Sequence, residues 1–364
     1  MNSTEFQSRL LSWYDQNKRT MPWRNCGDPY KIWLSEIMLQ QTRVDQATPY
    51  FERFITAFPT VYDLADARQE EVLKVWEGLG YYSRARNLHA ASKLVVDKFG
   101  GKVPDSWDEI NELKGVGPYT ASAVLSIAFQ KKYAVVDGNV IRVLSRYYGL
   151  EEDVRKTKTK NTIQEYAGEL ISNERPGDFN QAVMELGALV CTPSSPDCEI
   201  CPLREDCVAY KTVKTEEIPY KSKKKKRPHK QIGVGIILND NDEVLIALRP
   251  NDAMLGGLWE FPGGKQEDGE TLEETVQREL REELDVEVSV NKPFMKLDHA
   301  YSHFKITMHA YLCTLESGTP KANDSQEVRW IAIDELTEVP FPKANRKLTE
   351  QLMNRGKGQQ ELEI

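Results

Sequence analysis

The hydrophobic period of this chain changes once, and that change sets what it can fold into. From residue 5 to about 210 the apolar residues recur at helical spacing, as in "IWLSEIMLQQTRV", "EEVLKVWEGL" and "YTASAVLSIAF", which predicts an all-α half. After "KSKKKKRPHK" (Lys221 to Lys230) the pattern turns strand-like. "QIGVGIILNDNDEVLIALRP" reads as two β-rich runs around Asn-Asp-Asn-Asp, a hairpin signal. "KITMHAYLCTLES" and "EVRWIAI" read as further strands, with one helix from Thr271 to Leu284 among them. A chain of 364 residues is too long for one ordinary core at about 150 residues per domain. The expected architecture is therefore multidomain, α plus α+β: a helical domain over 1–212, a basic linker over 213–230 and a mixed domain over 231–364.

The lysine run carries seven Lys or Arg in ten residues and no acid, yet the whole chain has a net charge of −8. That balance argues against a protein that coats nucleic acid indiscriminately, and the run itself reads as a solvated connector. The N-terminal stretch is charged throughout and lacks the apolar core of a signal peptide. Runs such as "AVLSIAF" fall far short of the roughly 18 residues that a membrane span needs. A cytoplasmic chain with no membrane partner is expected.

Four cysteines, Cys191, Cys198, Cys201 and Cys207, follow one another as C-x6-C-x2-C-x5-C. Without an export signal, such crowding favours a metal site over disulfides. Zinc is one occupant for four thiolates, although its sites usually use two close pairs. Upstream, "INELKGVGPYTASAVL" sets Gly115 and Gly117 before an apolar helix. Glycines let backbone N–H groups approach a phosphate, and the helix adds its positive N-terminal end. About twenty residues further on, "AVVDGNVIRVLSR" places Asp137 just before a helix beginning near Asn139. Helix capping alone would explain an aspartate there. Glu36 falls inside an apolar helix, where a carboxylic acid is costly unless paired or functional. Burial would raise its pKa and keep a proton available for donation.

The cysteine spacing resembles the [4Fe–4S] loop of the endonuclease III superfamily of DNA repair enzymes, here over 191–207, and the glycine turn resembles the helix-hairpin-helix of DNA glycosylases, here about 110–125. The resemblance implies that the four cysteines hold the cluster and that Gly115 and Gly117 grip the DNA backbone. It also implies that Asp137 faces the sugar whose base is removed, where a carboxylate stabilises an oxocarbenium-like transition state. Combined glycosylase-lyases of the superfamily carry a nucleophilic lysine two residues after the second glycine. Tyr119 stands at that position, which implies base removal without efficient strand cleavage.

The segment "MPWRNCGDPYKIWLSEIMLQQTRVDQATPYFERF" closely resembles MutY-type adenine DNA glycosylases. This implies double-stranded DNA as substrate, with the target adenine lying opposite 8-oxoguanine or guanine and flipped into a pocket. Glu36 would be the general acid that protonates the adenine ring, Trp23 and Arg24 walls of the pocket, and Tyr119 and Asn139 its neighbours near the sugar. Gln41 and Thr42 would fill the stack beside the opposite base, and Tyr81 of "GLGYYSRARNLH" would be an intercalating wedge.

In the second half, Gly264, Glu270, Arg278, Glu279, Leu280, Glu282, Glu283 and Val286 match the Nudix pattern G-x5-E-x7-R-E-U-x-E-E-x-G-U, with U a bulky apolar residue and Asp285 in place of the last glycine. Glu279, Glu282 and Glu283 share one helical face, where clustered carboxylates bind Mg2+ and polarise a pyrophosphate. Thr271 with Glu274 offers a capping box. The domain resembles MutT, which implies a Nudix-like α/β/α sandwich. In the adenine glycosylases such a domain recognises 8-oxoguanine, and the matching loop is "HAYSHF", with Tyr301, Ser302 and His303. Tyr301 departs from the phenylalanine common in that family. Taken together the expectation is a monomeric, monofunctional adenine glycosylase of base excision repair. The alternatives are a thymine or mismatch glycosylase on the same scaffold, a Mg2+-dependent hydrolase of oxidised nucleotides carried on a DNA-binding helical domain, and a non-catalytic lesion binder, for which Glu36 and Asp137 would be unnecessary.

Overall fold

The computed structural model describes residues 2–222, 227–301 and 304–360, the last five by backbone alone. Two compact units emerge: Met1–Asp66 with Ala90–Lys224, and Ala67–His89 with Lys225–Ile364. No helix among the described residues is long and apolar enough to cross a membrane.

Helix starts follow local capping chemistry. Helix α1 (Ser3–Asn17) begins where the Asn2 side chain accepts the Glu5 N–H, and α2 (Pro29–Leu39) where Asp28 accepts that of Tyr30. Helices α3 (Val44–Ala57), α4 (Val61–Asp66), α5 (Gln69–Trp76) and α6 (Ser83–Phe99) follow. The short α7 (Trp107–Ile110) is capped by Ser106, and α8 (Pro118–Phe129) starts at Gly117 with proline in its first turn. Asp137 caps α9 (Gly138–Tyr148), which Gly149 ends in the left-handed conformation at φ 69°. Helices α10 (Thr157–Leu170), α11 (Pro176–Leu189) and α12 (Val208–Lys211) complete the helical series before the basic run.

The main core of the first unit joins α1, α9, α10 and α11 through Phe6, Leu10, Val143, Ile163, Phe179 and Leu186. Each such side chain contributes about 1.5–3 kcal/mol by leaving water. Gly187 lets α11 close onto the start of α9, since a Cβ there would come within 2.6 Å of Asn139 Cβ. That approach fixes where Asp137 sits. Helices α2 and α8 pack on each other and are buried almost all round, so Glu36 on α2 lies inside the protein.

The second unit carries β1 (His229–Ile237), β2 (Glu243–Leu248), β3 (Trp259–Glu260), β4 (Gly263–Lys265), α13 (Leu272–Leu284), β5 (Glu287–Ala300), β6 (Lys305–Ser317), β7 (Glu327–Ala332) and α14 (Lys343–Gln360). One sheet has the order β4-β1-β6-β5 and the other β3-β2-β7. Strand β1 runs parallel to β6, with Ile232 opposite Met308. The expected β1–β2 hairpin is therefore corrected. Its turn forms, with Asn239 Oδ1 accepting the N–H groups of Asn241 and Glu243, but only an isolated bridge from Leu238 to Val244 joins the strands. Both strands are largely buried, and each completes its hydrogen bonding in a different sheet. Helix α13 covers one core through Val276, Leu280 and Leu284, and α14 the other through Ala344, Leu348 and Leu352, giving the α/β/α sandwich.

Candidate active site

The first unit contains a cavity of about 460 Å³ lined by Trp23, Arg24, Glu36, Tyr119, Asp137 and Asn139, the six residues expected around the adenine and its sugar, and also by Thr42, which was expected beside the opposite base. Glu36 is 6% exposed, and the Tyr119 hydroxyl donates to its Oε2 at 3.1 Å. Burial pushes the Glu36 carboxyl up to about 7, with the Tyr119 hydrogen bond opposing and the Asp137 charge adding to the rise. A proton is thus held on this acid close to neutral pH.

Asp137 is both a helix cap and a wall of the cavity. Its Oδ1 accepts the N–H groups of Asn139 and Val140 at 2.9 and 2.7 Å, and its Oδ2 accepts from Asn139 Nδ2 at 2.9 Å. Burial raises its pKa too, but these three donors oppose the rise and favour the ionised form. Asn139 is held in turn by Arg142, whose Nη2 donates to Asn139 Oδ1 at 2.9 Å and to the Gly187 carbonyl at 2.6 Å. The same guanidinium donates through Nε to the Cys191 carbonyl at 2.6 Å, tying the cavity wall to the cysteine loop.

Sequence reasoning passed over a clamp on the other wall. Glu185, 2% exposed on α11, accepts from the Arg19 backbone N–H at 2.8 Å and from both the Arg19 and Arg24 guanidinium groups. Burial works against its ionisation, but the hydrogen bonds from Arg19 and Arg24 outweigh that and hold its carboxyl down at about 2. Gln181 accepts from Arg24 Nε at 3.2 Å. The available signal was a lone acid inside the apolar run "FNQAVMELGALV", the same signal that singles out Glu36.

Other expected residues lie apart from the cavity. Gly115 (φ 84°) and Gly117 form the turn between α7 and α8, and Gly117 caps α8 with no side-chain hydrogen bond. Gln41, at φ 58°, and Tyr81, at φ 50°, are exposed in a backbone region that side chains rarely adopt, a strain that clusters at functional positions. Tyr81 and Tyr301 belong to the second unit. Tyr301 packs against the α14-side core beside His299 and Phe304, while Ser302 and His303 lie outside the described residues.

The cysteine loop suits a cluster better than a single ion. Among the described residues no group of three or more His, Cys, Asp or Glu is placed to hold one metal ion. A [4Fe–4S] cluster takes one thiolate per iron and so occupies a wider cage. The four thiols influence one another electrostatically, and the buried Arg146 donates to Cys191 Sγ at 3.4 Å. The Leu203 N–H faces Cys201, and those of Tyr210 and Ala209 face Cys207. Cationic and N–H donors of this kind serve thiolate ligands. Burial pushes the Cys201 thiol up to about 12, so ligation there displaces a proton.

The Nudix box folds without gathering its acids for a cation. Arg278 bonds Glu270, Glu279 and Glu282 at 2.6, 3.0 and 3.1 Å. Burial pushes Glu283 up to about 8, and it accepts the Gly263 N–H at 3.2 Å. This arrangement does not fit Mg2+. Asp285 takes the left-handed conformation, φ 59°, that the replaced glycine would supply, and Thr271 with Glu274 forms the capping box.

Three family models match the chain: a HhH-GPD superfamily base excision DNA repair protein over residues 34–169, the iron-sulfur binding domain of endonuclease III over 191–207, and a NUDIX domain over 233–351. The adenine DNA glycosylase of Rattus norvegicus is 34% identical across 95% of this chain and 77% of its own length. That of Buchnera aphidicola subsp. Schizaphis graminum is 32% identical across 95% and 98%. A solved thermostable thymine-DNA glycosylase aligns with a TM-score of 0.52 at 31% identity, covering 58% of this chain and 97% of that one.

Proposed function

This chain belongs to the adenine DNA glycosylase family, and from that membership we propose that it excises adenine lying opposite 8-oxoguanine or guanine, acting as a monomer in the cytoplasm. It is a DNA glycosylase of base excision repair that carries a [4Fe–4S] loop. In the proposed chemistry the flipped adenine enters the cavity and Glu36 gives its proton to a ring nitrogen. The glycosidic C–N bond then breaks with its electron pair leaving on the base. Asp137, as a carboxylate, stabilises the cationic sugar, and water adds to the anomeric carbon and gives up a proton, which restores the Glu36 acid. Trp23 and Arg24 wall the base, while Tyr119 and Asn139 orient the two carboxyl groups. The observation that carries this reading is the pairing of an acid held protonated near pH 7 with a carboxylate wrapped in three donors on one cavity. The cluster would be held by Cys191, Cys198, Cys201 and Cys207. Its place in the account is structural, through the contact of Arg142 with the Cys191 carbonyl.

Gly115 and Gly117 would hold a phosphate, Gln41 and Thr42 would fill the stack beside the opposite base, and Tyr81 would wedge into it. Tyr301, Ser302 and His303 would read 8-oxoguanine. The test uses the full chain on duplexes with adenine opposite 8-oxoguanine, guanine or thymine. Single-turnover adenine release is expected to be fastest opposite 8-oxoguanine, with the strand unbroken before alkali because Tyr119 offers no amine. Joint Ser302→Ala and His303→Ala substitution is expected to lower the 8-oxoguanine rate about tenfold, the cost of about one lost hydrogen bond to a polar group, and to leave the guanine rate nearly unchanged. Equal rates opposite 8-oxoguanine and guanine in the intact chain would defeat the proposed specificity.

A further inference from the structure

The turn that presents Tyr81 is built into the same compact unit as the strands of the C-terminal half. Gly78, Gly80 and Tyr81 all take positive φ, at 96°, 79° and 50°, so the turn needs bracing. Trp76 Nε1 donates to the Gly80 carbonyl at 3.1 Å, and the Gly78 N–H to the Tyr82 hydroxyl at 3.0 Å. Arg84 donates to the Gly80 carbonyl at 3.0 Å, with its guanidinium 5.3 Å from the Trp76 ring and 5.4 Å from that of Tyr81.

The foot of the turn is anchored on the C-terminal half. Glu77 accepts the Phe341 N–H through Oε1 at 2.9 Å and Lys74 Nζ through Oε2 at 3.0 Å, while Lys74 also donates to the Val339 carbonyl at 3.2 Å. Further along α5, Glu70 accepts from Trp259 Nε1 at 2.8 Å, and Gln69 donates to Asn251 Oδ1 at 2.8 Å. Beyond the turn, Arg86 donates to the Gly256 carbonyl. Phe341 stacks on Phe261 with centroids 5.7 Å apart, and both belong to the core against which Tyr301 packs. Tyr301 and Phe341 thus share one hydrophobic core, and the hydrogen bond from the Phe341 N–H to Glu77 joins that core to the foot of the Tyr81 turn.

We propose that Glu77, supported by Lys74, is a positioning residue for specificity: it holds the Tyr81 turn to the C-terminal core, so that what Tyr301 and its loop contact governs how firmly Tyr81 is set in the duplex. This inference rests on the proposed reading of 8-oxoguanine by that loop and of Tyr81 as the wedge. Glu77 touches neither base nor sugar in this account. Its removal alters the coupling of opposite-base reading to excision and spares the chemistry, which lies with Glu36 and Asp137.

The test measures single-turnover adenine release by the full chain opposite 8-oxoguanine and opposite guanine, in the intact protein, Glu77→Ala and Glu77→Gln. Coupling between sites commonly spans about 5- to 150-fold, and Glu77→Ala is expected to lower the 8-oxoguanine rate about tenfold while the guanine rate stays within about twofold. Glu77→Gln keeps an acceptor for the Phe341 N–H and is expected to retain most of the preference. In a double-substitution cycle, Tyr301→Ala should cost less preference in the Glu77→Ala background than alone. A Glu77→Ala protein that keeps the intact ratio, whether its two rates stay unchanged or fall together, overturns the inference. An intact chain with no preference for 8-oxoguanine overturns the underlying reading and this inference with it.

Discussion

Glu36→Gln is expected to release adenine about 10²–10⁴-fold more slowly than the intact chain, the usual contribution of a general acid, and to be the more stable protein at alkaline pH. Both effects come from one cause. Burial pushes the Glu36 carboxyl from its ordinary 4.5 to about 7, so the native state binds more protons than the unfolded chain between those values. Stability then falls as pH rises through the window: the cost is absent below it and complete above it. At pH 8 that cost is about 3 kcal/mol, and a glutamine, which never ionises, avoids it. At pH 5 the advantage shrinks to below about 1 kcal/mol. Urea unfolding of the two proteins at both pH values measures this, and a Glu36→Gln protein no more stable at pH 8 than at pH 5, relative to the intact chain, contradicts the burial argument.

Asp137→Asn separates capping from catalysis. Asparagine caps helices as well as aspartate does, and its side-chain oxygen can accept the Asn139 and Val140 N–H groups that Asp137 accepts now. The helix start is therefore expected to survive, at a cost of about 1–3 kcal/mol because the new amide nitrogen meets Asn139 Nδ2, from which Asp137 Oδ2 now accepts, donor to donor. What disappears is the negative charge facing the cavity, and the expected loss in adenine release is about 10²–10³-fold, as for removal of one preorganised electrostatic contact. Circular dichroism and single-turnover kinetics on the same preparation check this. A folded variant that releases adenine at the intact rate would reduce Asp137 to a cap.

How much of this was legible in the sequence depended on the range of the interaction concerned. Local chemistry read well. The Thr271–Glu274 box, the left-handed Asp285 and the Asp137 cap depend on residues within four positions of one another, and the fold contains all three. Glu36 stood out because an acid in an apolar period needs a reason, and Glu185 carried the same signal unread. Its partners Arg19 and Arg24 lie some 160 residues away, and no spacing rule connects them. Long-range choices were likewise hidden. The turn at Asn239 forms as its residues dictate, yet β1 and β2 end in separate sheets because β1 pairs with a strand about 75 residues downstream. The period of "EEVLKVWEGL" announces a helix, but a hydrophobic face does not say which surface it will meet, and α5 packs with the C-terminal strands. The Nudix box shows the opposite limit. Its pattern is nearly complete in sequence, but only the structure shows Arg278 lying across Glu270, Glu279 and Glu282.

The measurement closest to the central claim is single-turnover release of free adenine by the intact chain, from a duplex with adenine opposite 8-oxoguanine, followed from about pH 5 to about pH 9. Release is expected to decline as pH rises past about 7, where Glu36 loses its proton, and a Glu36→Gln protein is expected to show no such inflection. Release that is level across the range in the intact chain, or no adenine at all, would contradict it.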